Sequence, residues 1–419
     1  MDNIRLEKYA QLLVRVGANV QPGQILVVQV DSYSIDLARA LTKAAFEVGA
    51  KDVIVFLDDP IIKRLRGQYG ESATLREVAQ WKKDALDVYF QNGAAQIGIF
   101  GTYPTLMEQL PLENVLAIAA ADNELRNVVR KYIHDGSLQW CGTAWANEDW
   151  ARKVYPELEP EAALAQLEDD LCTMNRVSYD NDPIAEWKKH CAALKLISDE
   201  LNRYNFDSLH LTTEIGTDIT LKLVEGHRWG SAGSGESGKT PVAFIANMPT
   251  EEIYTVPDWH YTSGVAVASF PLMLNGKLVK DFSITFKEGL AVDCQASENE
   301  EVLRQALFEN EQTRALGEVA LVSKYSPIRL LQRVYYNGLI DENAASHLAF
   351  GSSFPTNVAG GLNLNNEELL ELGVNVANCH TDFMIGSDKM KVVGTTKSGE
   401  EVVIMENGEF VISQVTCQL

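Results

Sequence analysis

The sequence predicts an α/β protein in two parts: an N-terminal α/β domain over residues 1–180 and a C-terminal α+β domain over residues 181–419. Two observations predict it. In the first part, short and almost continuous apolar runs alternate with helical stretches, the pattern of a mostly parallel sheet with covering helices. In the second part, apolar residues fall at every other position, as in strands with one wet face and mixed or antiparallel pairing. A length of 419 residues suits two domains, or three.

Taken in order, the chain opens on MDNIRLEKYAQLLVRVGANV, an amphipathic helix with Leu6, Tyr9, Leu13 and Val16 on one face, ending near Gly17. It lacks the apolar core of a signal peptide. Residues 25–30 (ILVVQV) and 53–57 (VIVFL) read as buried strands. Between them, residues 35–48 form a helix with Leu37, Leu41, Ala44, Ala45 and Val48 on one side and Gly49 at its stop. Further strands are expected at 97–100 and 116–120, and a helix over 74–92. No GxGxxG follows the first strand, so a dinucleotide site has little support there. Tryptophans between 140 and 150, then Pro156 and Pro160, mark a change of texture. A polar-faced helix over 184–204 leads into alternating strands at 208–213 and 218–223, parted at the turn-prone Gly216.

Hydrophobic residues make up 46% and charged residues 22%, enough to bury sizeable cores without disulfide staples. Lysine and arginine number 36 against 58 acids, a net charge of −22 that favours solubility and argues against nucleic acid as a partner. No window supplies the ~20 apolar residues that span a bilayer, so no membrane partner is expected. The six cysteines are scattered without a CxxC, indicating neither a zinc knuckle nor a redox dithiol. With no secretory signal, a cytoplasmic location with reduced thiols is expected.

Residues 233–240 read GSGESGKT and satisfy the phosphate-loop pattern GxxxxGK[ST]. That loop cradles phosphate only when a buried strand precedes it and a helix follows at once. Here Pro241 and the apolar run VAFIAN follow, and the upstream ITLKLVEG alternates. The segment therefore reads as a glycine-rich connection between strands, and Lys239→Ala is expected to leave activity intact.

Divalent metals need carboxylates and imidazoles gathered in one place. In CHTDFMIG, His380 and Asp382 sit at i and i+2, which on a strand puts both on one face. In DENAASH, an acidic loop runs into an expected helix; Glu342 and His347 lie five residues apart and converge only if Glu342 sits at or before the helix start. Glu318 lies within the strand-like LGEVALV, where it either faces a partner or faces solvent. In NMPTEEIYTVP, Glu251 and Glu252 are adjacent, so one can ligate while the other hydrogen-bonds or accepts a proton.

These segments, with LEKYAQLLVRVGANVQPGQ, EGHRWG, LNGKLVKDFSITFKEG and YYNGLIDENAASHLAFGSSFP, run in order along most of the chain. In them the chain resembles the M29 family of metallo-aminopeptidases. The resemblance implies a two-metal site in the C-terminal domain, with Glu252, Glu318, Glu342, His347, His380 and Asp382 as ligands. It implies two divalent ions (zinc, cobalt or manganese), short peptides with a free N-terminus as substrates, and a homodimer. Cleavage would proceed through a metal-activated water, with Glu251 relaying the proton to the leaving amine. One departure stands out. Many relatives carry tyrosine where HLAFGSSFP has Phe354, which cannot donate a hydrogen bond to an oxyanion. The alternative reading is a weakly active or inactive relative that keeps the metal or peptide site. Phe354→Tyr is expected to raise kcat.

Overall fold

The computed structural model describes residues 3–412 except 104, 108, 233–234 and 237–241. The chain divides into two compact units. One comprises Met1–Trp187 and Gly235–Met248, the other Lys188–Ser234 and Pro249–Leu419.

The first unit is built on a parallel sheet in the order Asn247–Met248, Trp140–Thr143, Ala95–Ile99, Ile25–Asp31, Asp52–Asp58. The strand ILVVQVD forms because Leu26, Val27 and Val28 are wholly buried, with helices supplying the cover. Val27, for instance, packs with Leu86 and Phe90 of helix Gln80–Gln91 and with Tyr132 of helix Leu112–His134. The first helix, Asn3–Leu12, widens into a π turn over Leu13–Gly17 and so ends where the glycine predicts.

Three local expectations are corrected. Residues 116–120 are not a strand; they lie inside helix Leu112–His134, where Ala117 and Ile118 pack on Leu75. A short apolar run does not distinguish strand from buried helix, and the alanines of LAIAAA favour the helix. The helix expected over 74–92 is broken into Ser72–Leu75 and Gln80–Gln91. The fourth parallel strand, Trp140–Thr143, falls in the tryptophan-rich stretch read only as a change of texture. It is four residues long and buried on both sides, so it carries no periodic signal.

Besides the two-stranded pair Leu272–Leu274 and Lys277–Val279, the second unit holds two main antiparallel sheets among the described residues. In the larger, Phe206–Thr212 and Asp218–Lys222 pair as the alternation predicts, within an order that runs from Leu290–Gln295 to Glu409–Phe410. The smaller is ordered His380–Met384, His347–Gly351, Leu316–Val322, Glu252–Thr255, Gly230–Ser231. Between Leu316 and Glu318 the register shifts by one residue, a bulge that leaves Gly317 extra. A Cβ on Gly317 would stand 2.4 Å from the Gly351 carbonyl oxygen, so the bulge admits glycine alone.

The phosphate-loop-like segment lies outside the described residues, apart from Gly235–Glu236, whose backbone pairs antiparallel with Ala243–Phe244. Among the described residues, no helix is long and apolar enough to cross a membrane.

Candidate metal centre

Side chains alternate along a strand, and directly opposed residues of an antiparallel pair share a face. The register sets Tyr254 opposite Ala320, Ala320 opposite His347, Glu318 and Asp382 opposite Ala349, and His380 opposite Gly351. One face of the smaller sheet therefore carries Glu252, Tyr254, Glu318, His347, His380 and Asp382. Ala320, Ala349 and Gly351, interleaved among them, leave room above the sheet. The other face is Ile253, Val319, Leu321, Leu348, Phe350 and Phe383, all fully buried.

The acids and imidazoles converge. His347 Nε2 lies 3.1 Å from Glu252 Oε2, and 3.9 Å from both Glu318 Oε1 and Asp382 Oδ1. His380 Nε2 lies 3.2 Å from Asp382 Oδ1 and 3.4 Å from Glu318 Oε2. Two groups result, Glu252–Glu318–His347 and Glu318–His380–Asp382, each with ligand atoms within 4.8 Å of one another. Glu318 belongs to both, with one oxygen turned to each histidine.

Backbone carbonyls aim the imidazoles. His347 Nδ1 lies 3.1 Å from the Ala345 oxygen, and His380 Nδ1 lies 2.7 Å from the Ser352 oxygen. A carbonyl only accepts, so each Nδ1 carries a hydrogen and each Nε2 is presented to the acids. Burial pulls the His347 imidazole down, but the hydrogen bond and charge of Glu252, with Asp382 and Glu318, push it up to about 10. His380 is likewise raised: burial opposes the charged form, and Asp382 and Glu318 overcome it. Burial raises Glu318, reinforced by Glu252 and Asp382 and countered by His380. For Asp382, burial is outweighed by His380 and His347, and its carboxyl is lowered.

The structure does not gather every predicted residue equally. Glu342 is in neither group, yet its carboxyl is raised well above the usual range by burial and by the charges of Asp382 and Glu252. His347 is not on a helix: Glu342–Ala344 is a single 3-10 turn, and the chain then enters strand His347–Gly351. The turn solves the spacing problem by breaking the helical register before the histidine. Glu318 is a buried strand residue with partners, not a solvent-facing one. Glu251, 2% exposed, joins neither group; its Oε2 lies 3.6 Å from His190 Nε2. The ring of Phe354 sits 5.0 Å from that of His380.

Supporting residues were missed in the sequence. Asn343 accepts from the Glu251 N–H (2.7 Å) and donates to Glu342 Oε1 (3.4 Å), tying the two acidic segments together. Asp341 accepts from the N–H groups of Tyr335 and Asn337, and burial still pushes its carboxyl up to about 7. Tyr254 stands in the same row as Glu252, and burial, with the charges of Glu252 and Glu318, raises its phenol. An asparagine or tyrosine of this kind announces itself only through strand register, which one sequence does not display.

The donor set suits a divalent cation. It offers only carboxylate oxygens and imidazole nitrogens, and its buried like charges destabilise one another unless a cation lies between them. Comparison with known proteins agrees. Residues 2–410 match the family described as "Thermophilic metalloprotease (M29)". Aminopeptidase AmpS of Bacillus subtilis (strain 168) is 36% identical over 97% of this chain and 98% of its own. Aminopeptidase PepS of Streptococcus thermophilus is 37% identical over the same shares. The solved structure of wild-type AmpT from Thermus thermophilus, 34% identical, superposes with a TM-score of 0.89 over 97% of this chain and 99% of that one.

Proposed function

Since the chain belongs to the M29 metalloprotease family and is a metallo-aminopeptidase, a hydrolase acting on peptide bonds, we propose that it works through two divalent ions on the acidic face of the smaller sheet. One observation carries this reading. Glu318 turns one carboxylate oxygen toward His347 and the other toward His380, as a residue shared between two ions would. Glu252 and His347 would hold one ion, and His380 and Asp382 the other, with Glu342 completing the set from its turn.

Ions bound there would lower the pKa of a water toward neutrality and polarise the scissile carbonyl. The residues do the rest. The Nδ1–H donations to Ala345 and Ser352 keep both imidazoles aimed. The substrate's free α-amino group would bind a metal or an acidic side chain of the same face, which would fix cleavage at the first peptide bond. Glu251, held through Asn343 and beside His190, is assigned the proton relay to the leaving amine. Glu251→Gln should lower kcat with metal content unchanged; an unaltered kcat removes that role. Short peptides are the proposed substrates, zinc, cobalt or manganese the ions, and a cytoplasmic homodimer the working form, which light scattering on the purified protein tests.

Metal content per chain, with and without His380→Ala, tests the centre. Two ions per chain are expected in the parent and fewer in the variant. Less than one ion per two chains after full reconstitution would sink the two-ion reading. A second reading keeps the ions without efficient turnover, because Phe354 places a ring without a hydroxyl against His380. Full metal loading with no cleavage of aminoacyl amides would favour it.

A further inference from the structure

Addition of water to a peptide carbonyl moves the C=O π pair onto oxygen, and a donor aimed at that oxygen lowers the barrier. Phe354 has no hydrogen to give. Its ring lies against His380 and also meets the ring of Tyr254 edge-on, with centroids 6.5 Å apart and planes at 72°. Tyr254 stands two residues beyond Glu252 on the same strand and face, opposite Ala320. Its other neighbour is Gly230, where a Cβ would come 3.0 Å from Tyr254 Cζ. The ring thus occupies a berth that any larger residue at 230 would narrow. The phenol is within reach of the charges of Glu252 and Glu318, and its hydroxyl makes no hydrogen bond among the described residues. The residue is half-buried in the row that carries the acids, and its donor is unspent.

We infer that Tyr254 is a catalytic residue, the donor to the developing oxyanion that the ring at Phe354 cannot supply, an assignment that rests on the two-ion reading above. The step balances without proton transfer from the phenol. The water oxygen bonds to the carbonyl carbon, the π pair moves to the carbonyl oxygen, and the Tyr254 O–H donates a hydrogen bond to it. When the oxyanion collapses, the C–N bond breaks, and the amine leaves with the proton given up by the water.

The test is Tyr254→Phe, which removes one oxygen and keeps the ring. Calorimetry with a phosphinic pseudodipeptide, a tetrahedral mimic, is run beside kinetics on an aminoacyl amide and metal analysis. Expected are a kcat lower by about 10²–10³, as for loss of one oxyanion donor, an unchanged metal content and a KM little altered. The phosphinate should weaken by a similar factor while a product dipeptide does not. Adding Phe354→Tyr to Tyr254→Phe should recover part of both losses, which also shows that the single variant is folded. The inference is overturned if kcat and phosphinate affinity stay within a few-fold of the parent, or if phosphinate and product weaken equally. A parent protein that takes up no metal fails in a different way: it removes the two-ion reading, and this assignment with it.

Discussion

The two faces of the smaller sheet share one backbone and have opposite energetics. On one, Phe383 packs against Phe350 and Phe282, and the row is made of buried apolar side chains with Thr255 and Thr381 among them. That face stabilises the fold whatever the solution contains. The other gathers three glutamate or aspartate side chains and two histidines within a few ångströms, and without a cation its acids repel one another. The apolar face holds the strands in a register that the acidic face could not maintain alone. A binding site can therefore be electrostatically unfavourable on its own, provided its neighbours along each strand are not.

Mutations on the two faces should have opposite signatures. The largest effect belongs to Glu318→Ala, which removes the oxygen pair shared by both groups. It should cost ions and lower kcat on the order of 10³-fold, since Lewis-acid stabilisation is worth several kcal/mol. The metal-free variant should melt no lower than the metal-free parent, because a buried charge is gone. Calorimetry with metal analysis checks both; a lower melting temperature in the metal-free state would break the comparison. Phe383→Ala, on the opposite face, should destabilise with and without metal by about 3–5 kcal/mol, the usual cost of emptying a buried aromatic site. Denaturant titration reads it.

The pH dependence sharpens the contrast further. In the metal-free protein His347 is raised from 6.5 to about 10, so its contribution is fully present below the unfolded value and is lost as pH rises through about 10. Glu342 is raised from its usual 4.5, so its ionisation also opposes folding as pH climbs. Asp382 has the opposite sign, but its contribution is already complete above the ordinary aspartate range. The metal-free melting temperature should thus fall between about pH 5 and pH 9. Metal should flatten the slope and release protons on binding, measurable as buffer-dependent heats. A metal-free melting temperature that rises over this interval would contradict the assignment. The smallest effect is expected from Phe354→Tyr in the parent: a gain in kcat of a few-fold, because Tyr254 already donates.

Much of the fold and part of the centre are legible in the sequence, for reasons that can be named. His380 and Asp382 fall on one face because strand periodicity is local. The parallel sheet is anticipated from ILVVQV and VIVFL because strands buried on both faces are written as apolar runs. His347 is misplaced onto a helix because the 3-10 turn that precedes it resembles a helix start over a few residues. Glu251 and Glu252 cannot be separated by sequence, since their difference is one of direction: Glu252 turns toward His347 and Glu251 toward His190. Tyr254 and Asn343 matter through partners some seventy to a hundred positions away along the chain, and no window of sequence brings those together.

The bulge at Gly317 has a consequence for how such a chain can change over time. It resets the phase of its strand: Leu316 pairs with Phe350 on the apolar side, and two residues later Glu318 pairs with Ala349 on the acidic side. Insertions upstream of Gly317 can be absorbed by the preceding loop without moving Glu318. An odd insertion between Glu318 and Val322 would exchange the inward and outward rows of the strand beyond it. Lineages that retain this centre should accordingly vary in length before Gly317 and hold their length after it.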